Sequence, residues 1–385
     1  MEKIFECETA ELFEALSKIS RGVPNRNALP ILDCVYFCYK DITLNVCAGG
    51  SHQRMSFHAG INSWAEGKFC LNLKRLLSAL KHITEDVLTF ELTGKNTIKI
   101  SFTGGSFILP MENADDYPVW DELENYSTIT VPSEEFISAM RGASKCAAND
   151  VIHPVLNSVY ICMLEFGDSA DIVGTDGSIL MKNTVKVNSF TSAGYDSLIM
   201  PTDAAVLLTQ FSDFENDEYF KRDEVVIEFT DKLVRVKFGG YTLSSVLIGG
   251  KYPRYNSVIP TEHTVIAKVN RKSLIGNLGF VSSFAPVSKR PVRMSVVQES
   301  RSLVLKTEDM ENGVSSDCSM ELAACDNSIT IGLNIDNFTK ALSLLVGENV
   351  AMEMTDSTRA VILHPCIDEQ KNNIILLMPL CLDRN

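Results

Sequence analysis

The feature that most constrains this chain is that it repeats itself three times. Stretches 9–20 (TAELFEALSKIS), 132–144 (PSEEFISAMRGAS) and 270–283 (NRKSLIGNLGFVSS) each follow a short strand-like opening. Leu12, Leu16 and Ile19 share one helical face in the first. Phe136, Met140 and Ala143 do so in the second, and Leu274, Leu278 and Val281 in the third. Thr9, Ser133 and Asn270 are the expected N-caps. A second helical set follows at 71–83, 200–213 and 333–345, with matched positions Leu76, Ala205 and Phe338 separated by 129 and 133 residues. Each of these leads into paired alternating runs: DVLTFELTGKNTIKISF, DEVVIEFTDKLVRVKFGG and ENVAMEMTDSTRAVILH. Alternation around a short turn is the hairpin signal. At 385 residues the chain is too long for one ordinary core. The expectation is an α+β protein of three tandem domains, 1–127, 128–260 and 261–385, each with two helices and antiparallel sheets.

The remaining composition excludes more than it selects. With 45% hydrophobic and 22% charged residues it reads as a globular chain. No apolar run is long enough to span a bilayer, and MEKIFECETAEL does not read as a secretory signal, so a cytoplasmic, non-membrane protein is expected. The eleven cysteines show no CxxC and no zinc-like pairing with histidine, which points to buried, reduced thiols and no metal. A net charge of −14 argues against nucleic acid unless the bases are gathered on one surface.

The segment VGTDGSILM, 173–181, looks at first like the corner of a catalytic site. Asp176 would be the acid. Its counterparts, ITLNVCAGGSHQRM in the first third and SLVLKTEDMENGVSS in the last, also read strand, polar turn, strand. Asp-Gly favours such a turn because glycine takes φ > 0 at little cost. A hairpin turn, a binding edge and a catalytic Asp176 all remain open on this pattern alone. The six histidines form no HExxH or HxH, and neither GGSFILP nor GGKYPRY completes a phosphate-binding loop. Nothing in the residues makes a positive case for an enzyme.

Seven short motifs carry a resemblance over essentially the whole chain. They are LPILDCVYF (29–37), ENADDYPVW (112–120), HPVLNSVYI (153–161), GTDGSILM (174–181), GGKYPRYNSVIP (249–260), SKRPVRMSV (288–296) and LLMPLCL (376–382). In order, and with the threefold repeat, they make the chain resemble the bacterial DNA polymerase III beta subunit, the sliding-clamp family. The resemblance implies a non-catalytic processivity factor without cofactor. Its three clamp domains would join head to tail with a second copy, giving a six-domain ring around duplex DNA of any sequence. Expected partners are the polymerase III catalytic subunit, a clamp loader, and other polymerases and repair proteins that dock through short linear peptides.

The resemblance also carries residues. The peptide pocket falls on Leu156, Thr175, Gly177, Ser178, Ile179, Leu180, Pro253, Ser257, Val258, Ala360, Val361, Leu377, Met378, Pro379, Leu380 and Cys381. Such pockets bury apolar anchors of a peptide. DNA-facing positions are Arg26, Lys74, Arg75, Lys81, Arg141, Lys145, Asn149, Arg271, Lys272 and Lys340, with Lys18 and Arg21 carried by the first of the wall helices. Contacts of this kind hold phosphate without reading sequence. The second helix of the middle third departs, carrying Asp203 and Asp213 and no base. Phe107, Phe280 and Val281 are the expected dimer contacts, Phe107 on an edge strand able to extend a sheet into the partner. The chain departs from the family at Ser178, Ile179, Asn256 and Ser257, where basic or aromatic residues are usual, and in the added tail Asp383, Arg384 and Asn385. Two competing readings remain: an enzyme using Asp176 or a Ser/His pair, and a repeat scaffold that binds only proteins.

Overall fold

The computed structural model describes residues 2–83, 86–94, 96–118, 120, 122–150, 152–210, 224–366 and 373–381. The chain forms two compact units: Met1–Ser138 with Lys186–Gly249, and Ala139–Val185 with Gly250–Asn385. Among the described residues there are six α-helices: α1 Thr9–Ile19, α2 Leu73–Leu80, α3 Ser133–Cys146, α4 Thr202–Gln210, α5 Arg271–Ser282 and α6 Ile335–Leu344. They fall where the apolar stripes put them. The end of the fourth stripe, to Asp213, lies outside the described residues, as does the tail Asp383–Asn385.

Three asparagines start helices by the same device. The side chains of Asn72, Asn270 and Asn334 accept hydrogen bonds from the N–H of Arg75 (3.0 Å), Ser273 (3.0 Å) and Asn337 (2.8 Å). Each satisfies one of the donors a helix leaves unpaired in its first turn, worth about 1 kcal/mol. Thr9 corrects the expectation. It lies inside α1, the cap position is Glu8 without a side-chain bond, and Thr9 Oγ1 donates instead to Asp86 O at 2.6 Å. The hydroxyl ties the helix start to the neighbouring strand.

The first unit has two antiparallel sheets. One runs Asn62–Ser63, Glu2–Glu8, Val87–Gly94, Thr97–Phe102, Gly105–Pro110, with Gly105–Pro110 as an edge. The other runs Ser189–Thr191, Ser127–Pro132, Glu224–Phe229, Leu233–Phe238, Tyr241–Val246, Gln53–Gly60, Thr43–Gly49, Cys34–Lys40, Gly67–Asn72. Strands of the first and middle thirds thus share one sheet, joined where Tyr241–Val246 pairs with Gln53–Gly60 in the register Leu243↔Met55. Phe5, Phe37, Phe69 and Phe90 fill the core beneath, with Phe5–Phe90 centroids 4.3 Å apart and Phe37–Phe69 4.9 Å apart. Stacked pairs add about 1 kcal/mol each beyond burial.

The second unit repeats this plan. Its four-stranded sheet runs Val314–Glu321, Ser302–Asp309, Pro291–Val297, Ile329–Asn334, again with a free edge strand, Val314–Glu321. Its larger sheet runs Ser158–Met163, Ser169–Thr175, Ile179–Lys186, Ile374–Leu377, Val361–Pro365, Asn349–Met354, Val265–Asn270, Ala324–Cys325. Ile179 and Met181 from the middle third enter the same core as Leu274 and Leu278 of α5 and Phe338 and Leu342 of α6.

Burial pushes the Cys34 thiol up to about 11 and those of Cys70 and Cys146 to about 12, so these stay neutral and serve as small apolar groups. The expectation of uniformly buried thiols fails at Cys366 and Cys381, both exposed. Cys366 directly follows the strand Val361–Pro365, and Cys381 lies four residues past Ile374–Leu377. No helix among the described residues is long and apolar enough to cross a membrane.

Candidate functional site

The site is built where the middle-third strand Ile179–Lys186 pairs with Ile374–Leu377 in the register Ile179↔Leu377. Beyond that strand the pairing continues by one bond, Met378 N donating to Ser178 O at 2.9 Å. Leu380 N then donates to Gly332 O at 2.8 Å, so the closing MPL segment is held at both ends.

The turn before Ile179 answers the question of Asp176. Its Oδ1 accepts from the N–H groups of Ser178 (2.7 Å) and Ile179 (2.9 Å). Thr175 Oγ1 donates to Ile179 O at 2.7 Å and accepts from Gly177 N at 3.0 Å. The acid's lone pairs go to its own backbone, which is how Asp stabilises a turn. Gly177 has φ +89°, and a Cβ there would meet nothing within 4 Å, so this side of the turn is open. Gly174 is the opposite case: a Cβ would fall 2.0 Å from Ala143 O, so only glycine lets α3 lie this close to the strand.

A buried polar cluster fixes the second wall. Asp171, 1% exposed, accepts from Tyr255 OH (2.9 Å) and Thr184 Oγ1 (2.7 Å), and Lys182 Nζ lies 3.2 Å away. A buried carboxylate needs such donors, because its desolvation is otherwise uncompensated. Tyr252 stacks on Tyr160 at 4.6 Å with rings 6° from parallel, and Tyr255 meets the same ring edge-on at 6.1 Å. Burial raises both phenols above their ordinary range, and Asp171 adds to the rise at Tyr255, so both stay protonated donors. Together they pin the short helical turn Tyr255–Val258, which carries Ser257 and Val258. Asp171, Lys182, Tyr252 and Tyr255 were missed by sequence reasoning. The signal available was a lone Asp in an otherwise apolar strand, SADIVGT.

The expected pocket residues therefore all belong to one unit, but not in one role. Met378 is 41% and Val258 46% exposed; Leu156, Pro379 and Leu380 are half-buried. These offer reachable apolar surface, with Gly177, Ser178, Pro253, Ser257 and Cys381 exposed beside them. Ile179, Val361 and Leu377 are core members, and Thr175, Leu180 and Ala360 are also buried. They form the floor on which the reachable residues sit.

The basic residues separate in the same way. Arg26, Lys74, Arg75, Lys81, Lys145, Asn149 and Lys272 are exposed; Arg141 and Lys340 are half-buried. Lys18 does not fit. It is 9% exposed, pairs with Glu14, and lies 5.1 Å from the centroid of the Tyr241 ring. Arg271 is also drawn inward, donating through Nε to Gly347 O (2.9 Å) and through Nη1 to Leu342 O (3.1 Å). It closes the carbonyl end of α6. Arg21 donates to Gln210 O at 2.7 Å. Phe107 is half-buried on the edge strand beside Ile108, 60% exposed, and Phe280 is 51% exposed with its ring 5.6 Å from that of Phe284. Val281 is fully buried in the core against α6 and the sheet, so it cannot be a surface contact.

Comparison with known proteins agrees with this architecture. Residues 3–121 match the family model described as DNA polymerase III beta subunit, N-terminal domain, and residues 256–379 the model of its C-terminal domain. The chain is 24% identical to a beta sliding clamp of Treponema pallidum over 97% of this chain and 98% of the relative. It is 21% identical to that of Synechococcus elongatus over 93% and 94%. Among solved structures, the sliding clamp of Pseudomonas aeruginosa bound to griselimycin superposes with a TM-score of 0.89 at 17% identity, covering 99% of this chain and all of that one. The Bacillus subtilis clamp gives 0.88 at the same identity and coverage.

Proposed function

This chain belongs to the DNA polymerase III beta-subunit family, and from that premise we propose that it is a sliding clamp that encircles duplex DNA and tethers a polymerase. The observation that carries the reading is the doubled joint. Each unit has a large sheet shared by two consecutive thirds, and a smaller sheet that ends in an unpaired edge strand: Gly105–Pro110 in the first unit, Val314–Glu321 in the second. Edge strands invite pairing with another chain. Two copies joined head to tail through these edges make a closed two-fold assembly of six domains, bounded in each chain at 1–127, 128–260 and 261–385. Phe107, Ile108 and Phe280 supply its apolar contacts.

The exposed bases Lys74, Arg75 and Lys81 on and after α2, and Lys145 and Lys272 on α3 and α5, supply phosphate contacts without sequence readout. Arg26 and Asn149 act from loops. The groove formed by Leu156, Val258, Met378, Pro379 and Leu380 takes the apolar anchors of short peptides from the polymerase, the clamp loader and repair proteins. Asp176 has no chemical role, and the protein works in the cytoplasm as a non-catalytic subunit.

The decisive test combines solution mass with topology. Light scattering should give two chains per particle. After clamp loading, the protein should stay on circular DNA and run off the ends once the circle is cut. A monomer that leaves circular and linear DNA equally would sink the ring and leave a protein-binding scaffold. Independently, Met378→Asp should cost about tenfold or more in capture of a Leu/Phe-anchored peptide, with circular retention kept.

A further inference from the structure

The first unit contains a cavity of about 390 Å³ on its nine-stranded sheet, lined among others by Asn45, Arg54, His58, Trp120, Arg235 and Lys237. It occupies the place that the Asp171 cluster fills in the second unit. The register makes the correspondence. Ser245↔Gln53 in the first unit matches Leu377↔Ile179 in the second, and Val246 N donates to His52 O as Met378 N does to Ser178 O. Counting along the strands from there, Asn45 stands where Asp171 stands, Ser56 where Lys182, His58 where Thr184, and Arg54 where Leu180. Tyr117 and Trp120, in the repeated YPxx motif, answer to Tyr252 and Tyr255.

The exchange removes an anion and adds cations. The second unit has an internal carboxylate, Asp171, with three donors turned to it. The first has an amide whose buried Oδ1 accepts no hydrogen bond, and an indole where the donating phenol would be. Around it, Arg54 is 5% exposed, held with its guanidinium 4.8 Å from the Trp120 ring centroid and 5.5 Å from that of Tyr117. Arg235 and Lys237 replace apolar Ile362 and the His364 of the matching strand. Among the described residues Glu122 is the one acid in the lining; Glu228, which pairs with Lys237 at 2.5 Å, is not part of it. Burial, and after it the nearby Lys237, hold His58 below its ordinary range.

We propose that this cavity binds a small molecule carrying an oxyanion and a hydrogen-bond donor, its oxyanion taking the place of the missing carboxylate among Arg54, Arg235 and Lys237, and its donor satisfying Asn45 Oδ1. The volume sits at the small end of ligand sites, about 300–1,000 Å³, which suits a nucleoside monophosphate or a metabolite of that size rather than a folded partner. Guanidinium groups bind phosphate and carboxylate with the same fork geometry, so either oxyanion fits the chemistry. The site does not depend on the clamp reading, since it shares no residue with the peptide groove, the DNA-facing positions or the edge strands.

Calorimetric titration of the full chain with AMP, inorganic phosphate and glutarate tests it. AMP carries both features on separate groups, phosphate an oxyanion whose only donor is its own P–OH, and glutarate only carboxylates. Saturable binding of one or more probes is expected, and the tightest names phosphate or carboxylate as the source. Asn45→Asp supplies the internal carboxylate that the second unit already tolerates, and should weaken binding at least about tenfold with an unchanged thermal midpoint. Arg235→Met should also weaken it. No saturable binding of any probe to about 5 mM, near −3 kcal/mol, would overturn the proposal. So would binding that both variants leave unaltered.

Discussion

At the joint between the first and middle thirds, Val246 donates its N–H to His52; at the joint between the middle and last thirds, Met378 donates to Ser178. The backbone solution is the same, yet the two surfaces differ. At the first joint, Leu32 and Leu247 are buried at 1% and 7% exposure. At the second, Gly177 faces open space, Leu156 is only half-buried, and Met378 is exposed. The first joint buries its matching leucines and has a cavity lined by Arg54, Arg235 and Lys237 beside it. The second leaves apolar surface reachable and occupies the corresponding interior with Asp171 and two tyrosines. A repeated scaffold specialises by which of its equivalent hollows it fills, while the strand pairing that holds it stays untouched.

The comparison breaks or holds on a graded set of substitutions. The largest effect is expected at Gly174, whose counterpart is Ala48. Gly174→Ala forces a Cβ onto Ala143 O and should cost about 3 kcal/mol, lowering the unfolding midpoint by roughly 6–12 °C in calorimetry. A midpoint within a degree of wild type would mean that α3 does not need this close approach. Asp171→Ala should follow, at about 2–3 kcal/mol, because it strands Tyr255 OH and a largely buried Lys182. Asn45→Ala, at the matched position, removes an oxygen that makes no hydrogen bond and should change stability by less than about 0.5 kcal/mol. Equal losses at the two sites in chemical denaturation would erase the distinction between the joints. Tyr255→Phe should cost about 1 kcal/mol and loosen peptide capture several-fold, since it frees the turn carrying Val258; Trp120→Phe should leave capture alone. Fluorescence anisotropy with a labelled peptide reads both, and a loss in Trp120→Phe as large as in Tyr255→Phe contradicts the assignment. Smallest of all is Asp176→Asn. The amide oxygen can still accept from Ser178 and Ile179, so stability and ring retention should stay within about 0.5 kcal/mol of wild type. A collapse of function with intact folding would revive a chemical role for this acid.

The helices were legible because each is announced by its own residues. Apolar spacing fixed the faces of α1 to α6, and Asn270 capped as its chemistry requires. Where a side chain had a choice of partner, local reading failed. Thr9 went to Asp86 O rather than to its own helix, Lys18 to Glu14 and Tyr241, and Arg271 to the end of α6. Apart from the i,i+4 pair of Lys18 with Glu14, each is a long-range or cross-element contact that one segment does not encode. The same limit applies to the pocket. Motif order names the proposed pocket residues, but only packing separated the reachable Met378 and Val258 from the core residues Val361 and Leu377.

The sequence by itself determined the threefold repeat, the helix and strand types and the family, because periodicity and motif order are written within short spans. Only the tertiary structure decided which strands of different thirds share a sheet, and which of two equivalent hollows is filled. Those outcomes depend on registers between segments more than a hundred residues apart, Ile179 with Leu377 and Gln53 with Ser245. They depend equally on whether a buried polar atom finds its partner, as Asp171 does and Asn45 does not.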